Sequence, residues 1–195
     1  MKIGVLALQG AVTEHIQMIS ALGAEAVPVR LPSELDGLDA LIIPGGESTT
    51  ISKLLVDYGL MEPIRKLAKK GFPIFGTCAG LILLAKKVPD FKFEPIGIMD
   101  IEVNRNAFGR QVDSFEADLK IPAFHDGNFH AVFIRAPVVE KVEGRVEILC
   151  QLKGKPVAVR QGNLLGCAFH PELTDDLRLH KYFLDMVAGD GNCRE

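Results

Sequence analysis

Over the first 87 residues, short apolar runs take turns with longer stretches of helical period, and this constrains the fold more than any other property of the chain. The expected order is strand 2–8, helix 11–22 ending at Gly23, strand 25–30, strand 39–43, helices 49–57 and 62–70, strand 72–75 and helix 79–87. Within the first helix Val12, Ile16, Ile19 and Leu22 recur at helical spacing. Leu177, Phe183, Leu184 and Val187 repeat the pattern in a last helix over 174–187. Strands that alternate with helices join as parallel neighbours covered on both faces. Between residues 97 and 169 the pattern changes: strand-like segments 97–104, 112–120, 130–135, 146–152, 156–160 and 163–169 follow one another across short turns bearing Gly, Asn or Pro. This half is expected to be antiparallel in part, giving an α/β chain with a mixed sheet.

With 195 residues, 48% of them apolar, the chain is long enough for one well-buried core and short for two. No repeat, low-complexity tract or Pro- or Ser-rich linker divides it. A single domain over 1–188 with a loose tail over 189–195 is the expectation. A net charge of -3 lacks the one-sided basic excess that binding a phosphate backbone requires, which argues against nucleic acid as a partner. The run Lys2-Ile3-Gly4-Val5-Leu6-Ala7-Leu8 ends at Gln9-Gly10 without a small-residue cleavage pattern, so it reads as a strand rather than a leader. Nothing approaches the roughly 18 apolar residues of a membrane span. Four cysteines without framework or metal-site spacing point to a reduced, cytoplasmic compartment and to no metal.

Three candidate loops follow three candidate strands, the position at which open α/β sheets build sites. The middle one, Phe75-Gly76-Thr77-Cys78-Ala79-Gly80, has the Gly-x-nucleophile-x-Gly spacing of a tight strand-to-helix elbow. There the unpaired N–H groups of a helix start favour a thiolate at Cys78, and the N–H of Ala79 is placed to meet an oxyanion. Most free cysteines are small buried hydrophobes instead, and Cys150 and Cys167, inside strand-like runs, are read that way. The elbow context favours a nucleophile at Cys78. Near the C-terminus stands His170-Pro171-Glu172. Pro171 biases His170 toward extended geometry, which puts the His170 and Glu172 side chains on one side, so that Glu172 orients the base. A Pro-Glu pair also suits a plain helix start.

Pro44-Gly45-Gly46-Glu47-Ser48-Thr49-Thr50 admits three readings: an ordinary capped turn, a phosphate cradle without a Walker lysine, or a second oxyanion donor. The stretch from Asn104 to Phe115, with Arg105 and Arg110 among amides, suits a small ligand carrying a carboxylate or equally a solvated hairpin. His15 and His180 fall within helix patterns and are expected at the surface or its boundary. His125 and His130 are assigned no role.

A Cys elbow, a distant His-Pro-Glu and an upstream Pro-Gly-Gly loop, in that Cys-His-Glu order, resemble the triad-type class I glutamine amidotransferases. Many members carry a Gln shortly after the elbow, where this chain has Leu81-Ile82. With Leu6-Ala7-Leu8-Gln9-Gly10-Ala11, Gly45-Gly46-Glu47-Ser48-Thr49-Thr50 and the Arg105 to Phe115 stretch, the match is to the branch that serves as glutaminase subunits of pyridoxal 5'-phosphate synthases. It runs to about residue 187. The resemblance implies a three-layer αβα sandwich of flavodoxin-like type with a mixed, mostly parallel sheet. It implies hydrolysis of L-glutamine through a thioester on Cys78, with His170 and Glu172 completing the triad and Gly46 and Ala79 lining the oxyanion hole. Glutamine contacts are implied at Gly46, Glu47, Ser48, Arg105, Ile134 and Arg135, with no cofactor. Its implied partner is a (β/α)₈ synthase barrel that takes the ammonia, in a hetero-oligomer with several copies on a synthase ring. Two rivals share the motifs: a thiol hydrolase or peptidase on a related sandwich, and a nucleotide- or phosphate-binding module built on the Gly45-Gly46 loop.

Overall fold

The computed structural model describes residues 1–105 and 114–189. In chain order the elements are β1 (Lys2–Leu6), α1 (Val12–Ala21), β2 (Glu25–Val29), β3 (Ala40–Ile43), α2 (Ser48–Asp57), α3 (Met61–Lys69), β4 (Ile74–Thr77), α4 (Ala79–Leu84), β5 (Ala85–Lys87) and β6 (Met99–Asn104). There follow β7 (Ser114–Leu119), β8 (Phe129–Ile134), β9 (Val138–Val142), β10 (Glu147–Leu152), β11 (Lys155–Gln161), β12 (Leu164–Cys167) and α5 (Arg178–Val187). Short 3₁₀ turns occupy Pro32–Leu35 and Pro171–Leu173.

A seven-stranded sheet runs in the order β10-β11-β12-β4-β3-β1-β2. Its five strands from β12 to β2 are parallel, and β11 turns antiparallel against β12 and β10. The middle strands are short, largely apolar runs, buried along their whole length, as strands covered on both faces must be. From β1 the chain crosses outward through α1 to β2, then returns to β3 and proceeds the other way to β4. Right-handed crossovers therefore put α1 and the α2–α4 group on opposite faces. α5 packs beside α1, and α4 beside α2. The two directions diverge between β1 and β3, and the crevice at a switch of this kind is where such sheets bind ligands.

The expected mixed, mostly parallel sheet is present, but not every strand of the second half joins it. β5, β6 and β9 form a separate three-stranded sheet, and β7 and β8 pair alone as an antiparallel hairpin. One contiguous apolar cluster links all three sheets. Three local expectations are corrected. The helix expected over 79–87 stops at Leu84, because Ala85–Lys87 pairs with β6, setting Lys86 against Asp100 and Lys87 against Glu143. The last helix starts at Arg178 rather than 174, after a turn in which Asp176 accepts from the Arg178 N–H at 3.0 Å. β9, after Pro137, was not anticipated.

Candidate active site

The turn after β4 is shaped by what lacks a side chain. Gly76 and Gly166 lie side by side in the β4–β12 register. A Cβ on Gly76 would stand 2.6 Å from the Gly80 backbone, and one on Gly166 would stand 2.5 Å from Leu81 Cδ1, so α4 sits directly on the sheet. On its other flank, a Cβ on Gly80 would come within 2.0 Å of the Ile43 carbonyl oxygen of β3. Between these contacts Cys78 takes φ 48° and ψ -102°, a left-handed conformation rare for a residue with a side chain. It is held from both sides: its N–H donates to the Cys167 carbonyl at 2.9 Å and its carbonyl accepts from Ile82 at 3.3 Å. The expected elbow is therefore present as a strained backbone turn at Cys78.

His170 is delivered by the strand beyond. Its N–H donates to the Val132 carbonyl of β8 at 2.8 Å, and Phe169 packs against Phe129 and Phe133 of the same hairpin. Pro171 opens the 3₁₀ turn, and Nδ1 of His170 donates to Oε1 of Glu172 at 2.7 Å. Cys78, His170 and Glu172 are nearly closed off from solvent, at 7%, 8% and 5% exposure. With Nδ1 engaged, Nε2 is the atom available to the sulfur. Burial pulls His170 down, yet its hydrogen bonds to Cys78 and Glu172 and the charges behind them outweigh that and hold it at about 10. The geometry thus favours an imidazolium between a carboxylate and a sulfur. Both readings of Pro171-Glu172 have a structural counterpart, since Pro171 opens the 3₁₀ turn and the Glu172 carboxylate bonds the His170 ring.

The Gly45-Gly46 loop lies against both groups. A Cβ on Gly45 would stand 2.4 Å from His170 Cε1 and 3.3 Å from Cys78 Cβ. Its carbonyl accepts from the Ala11 N–H at 3.3 Å, on the β1–α1 side. In a planar trans peptide the following N–H, that of Gly46, points the opposite way. The next turn closes on itself: Gln9 Oε1 accepts from the Glu47 N–H at 2.7 Å, and the Glu47 carboxylate caps α2, accepting from Thr49 and Thr50 N–H at 3.2 and 2.7 Å and from both hydroxyls. Partial burial raises the Glu47 carboxyl, but those hydrogen bonds prevail and lower it to about 2. With the Thr49 and Thr50 N–H groups taken by the helix's own carboxylate, this helix start presents a negative charge where a phosphate would have to sit, which argues against the phosphate-binding rival.

Together these parts enclose a cleft of about 290 Å³, lined by Gln9, Gly46, Glu47, Ser48, Cys78, Ala79, Ile82, Arg105, Ile134, Arg135 and His170. That is near the lower bound, roughly 300 Å³, of small-ligand pockets. Every residue to which the resemblance gave a role in catalysis or glutamine binding lines it except Glu172, which stands behind His170. Arg105, at the end of β6, lies 3.4 Å from Glu47 Oε1 and over the Phe91 ring at 5.0 Å. Arg135, after β8, has φ 43°, a second strained non-glycine position at the rim. Of the arginine stretch, residues 106–113, Arg110 among them, lie outside the described residues. Sequence reasoning gave no role to Gln9, Thr77 or Ile82. Gln9 and Thr77 stood inside recognised motifs, and Thr77 Oγ1 proves to accept the Gly45 N–H at 3.0 Å. His15 and His180, expected near the surface, are fully buried behind the site, because α1 and α5 pack together over Phe75. Among the described residues no group of His, Cys, Asp and Glu has the makings of a metal site, and no helix is long and apolar enough to cross a membrane.

Comparison with known proteins gives the same picture along the whole chain. A pyridoxal 5'-phosphate synthase subunit PdxT of Moorella thermoacetica is 58% identical over 187 residues, covering 96% of this chain and all of the relative. Another of the same description, from Dehalococcoides mccartyi, is 61% identical over 190 residues, covering 96% and 97%. A solved structure described as a glutamine amidotransferase superposes with a TM-score of 0.90 at 51% identity, over 95% of this chain and 98% of that one. A glutamine amidotransferase from Thermotoga maritima, at 13% identity and a TM-score of 0.64 over 98% and 86%, shares the fold. The family model described as the SNO glutamine amidotransferase family matches residues 5–189, and to that family this chain belongs.

Proposed function

We propose that this chain is the glutaminase subunit of a pyridoxal 5'-phosphate synthase, releasing ammonia from L-glutamine for vitamin B6 synthesis by a partner synthase subunit. The relatives' common description supports the activity and the pairing. One observation carries the chemistry: Cys78, on a strained elbow, faces His170, whose other ring nitrogen is held by a buried Glu172 at 2.7 Å. In the proposed course the Cys78 thiolate attacks the side-chain amide carbon, and the N–H groups of Gly46 and Ala79 receive the oxyanion. The His170 imidazolium gives its proton to the departing nitrogen, releasing ammonia and leaving a γ-glutamyl thioester. His170, now neutral, takes a proton from water, whose oxygen attacks the thioester and frees glutamate. Arg105, Glu47, Ser48 and the Ile134-Arg135 turn are proposed to hold the glutamine.

Ammonia in neutral water is mostly ammonium, which lacks the lone pair for attack on a carbonyl, so passing it directly to a (β/α)₈ barrel has a chemical purpose. Several copies on a synthase ring, in the cytoplasm, with residues 1–188 acting as one domain, complete the proposal. The test is mass spectrometry after exposure to a glutamine-like diazo ketone, together with glutaminase activity before and after adding the synthase barrel. An adduct on Cys78 and activity raised by the barrel are expected. No adduct with or without the barrel would sink the glutaminase reading.

A further inference from the structure

The triad accounts for one carboxylate oxygen of Glu172 and leaves the other. Oε1 meets His170, whereas Oε2 is sealed from solvent without a hydrogen-bond partner among the described residues. A buried carboxylate oxygen is costly unless something donates to it. Facing Oε2 is His15 of α1, whose Nε2 lies 3.4 Å away and 3.3 Å from Thr77 Oγ1. On its far side His15 Nδ1 is 2.9 Å from Nε2 of His180, whose own Nδ1 is buried without a partner among the described residues. Burial lowers His15 well below the ordinary histidine value, with His180 and His170 adding to the effect, and burial lowers His180 to about 4. Each ring is therefore neutral and carries one N–H.

Two arrangements of those hydrogens exist. If His15 donates from Nδ1 to His180, its bare Nε2 lone pair faces the carboxylate, and the Nδ1–H of His180 becomes a buried donor with no acceptor. If His180 donates from Nε2, His15 carries its hydrogen on Nε2, which meets Thr77 Oγ1 at 3.3 Å and lies 3.4 Å from Glu172 Oε2, and at the two histidines only a lone pair at His180 Nδ1 is unmet. The second avoids both penalties. Resting on the triad reading, we infer that His15 is a positioning residue for the glutaminase reaction: its Nε2–H, fixed by His180, sets a polar hydrogen beside the unpartnered Oε2 of Glu172 and keeps that carboxylate where Oε1 meets His170. The ring's hydrogen bond goes to Thr77 Oγ1 at 3.3 Å, and the 3.4 Å approach to Oε2 is an electrostatic contact beside it. It orients the carboxylate rather than binding it tightly. Since Thr77 Oγ1 also accepts the Gly45 N–H, the same ring ties the acid to the loop carrying Gly46. The other titratable groups around His170 and Glu172 are Cys78 after β4 and Cys167 of β12, the latter raised by burial and by the Glu172 charge.

Histidine side-chain 15N NMR on the intact chain reads the tautomer without mutation. The Nε2–H form of His15 is expected, and the Nδ1–H form overturns the inference. Kinetics of the full chain in complex with its synthase subunit supply the second arm, using two polar variants. Gln puts its amide nitrogen near the place of Nε2, Asn near that of Nδ1. His15→Gln is expected to keep kcat for glutamine within about 3-fold, whereas His15→Asn loses roughly 10-fold with KM unchanged. In the Asn variant the basic limb of the pH profile moves down, because a loosened Glu172 holds the His170 proton less well. Equal losses in both variants, or none in either, overturn the inference. Diazo ketone labelling of the wild-type complex separates the two layers: no adduct on Cys78 removes the triad reading, while an adduct with indistinguishable variants removes the role of His15 alone.

Discussion

Gly45 has no side chain because His170 stands where one would be. The clash a Cβ would make, 2.4 Å to Cε1, is with a buried ring hydrogen-bonded to Glu172, so the ring cannot simply swing aside. Gly45→Ala is therefore expected to fold but to displace the imidazole, and a misplacement near 1 Å costs about 100-fold in rate. Glutaminase assays of the complex, with a thermal melt as the folding control, check this. A kcat within about 2-fold of wild type at an unchanged melting temperature would contradict the reading. Sequence showed Gly45 only as part of a turn, compatible with a cap, a phosphate cradle or an oxyanion loop. Which side chain it makes room for depends on a strand end more than a hundred residues away. The same holds for Gln9, whose amide anchors Glu47 at 2.7 Å and whose role no local pattern announces.

At the scale of elements, the strand–turn–helix around Cys78 was legible because its signal is local: an apolar run, two glycines at fixed spacing, then leucines. What was not legible was the length of α4. Residues 85–87 carry nothing that breaks a helix, and only pairing with β6 turns them into a strand. The glycines of this unit act through packing as much as through the turn. A Cβ on Gly80 would meet backbone, the Ile43 carbonyl oxygen at 2.0 Å, and backbone gives less than a side chain does. Gly80→Ala is expected to lift α4 from β3 and to destabilise by about 3 kcal/mol, the upper end for overpacked cores. Urea titration measures it, and an unshifted midpoint would show that α4 tolerates the move.

For the whole molecule, the buried histidines make stability depend on pH in two opposed ways. His15 and His180 are lowered from 6.5, so between that value and about 4 the unfolded chain binds more protons. Their contribution is complete above pH 6.5 and is lost on acidification, that of His180 as pH falls toward 4. His170 is raised from 6.5 to about 10, so its contribution is complete below 6.5 and is lost as pH rises toward 10. Glu47, lowered from 4.5 to about 2, acts in a separate, more acidic window. Stability is expected to fall between pH 6.5 and 4.5, and His180→Phe to flatten that slope. Denaturant midpoints across the range test this, and an equally steep fall in the variant would count against it. Local pattern alone was enough for the α/β alternation, a mixed sheet and the elbow at Cys78, and resemblance in motif order gave the family and its mostly parallel sheet, because periodicity, glycine spacing and motif order are written along the chain. Packing had to supply the rest. His15 and His180 sit on amphipathic helices whose polar positions look like surface, and only the meeting of α1 with α5 over Phe75 buries them behind Glu172. A side chain's burial and partners are properties of which elements meet, and no short window of sequence contains that.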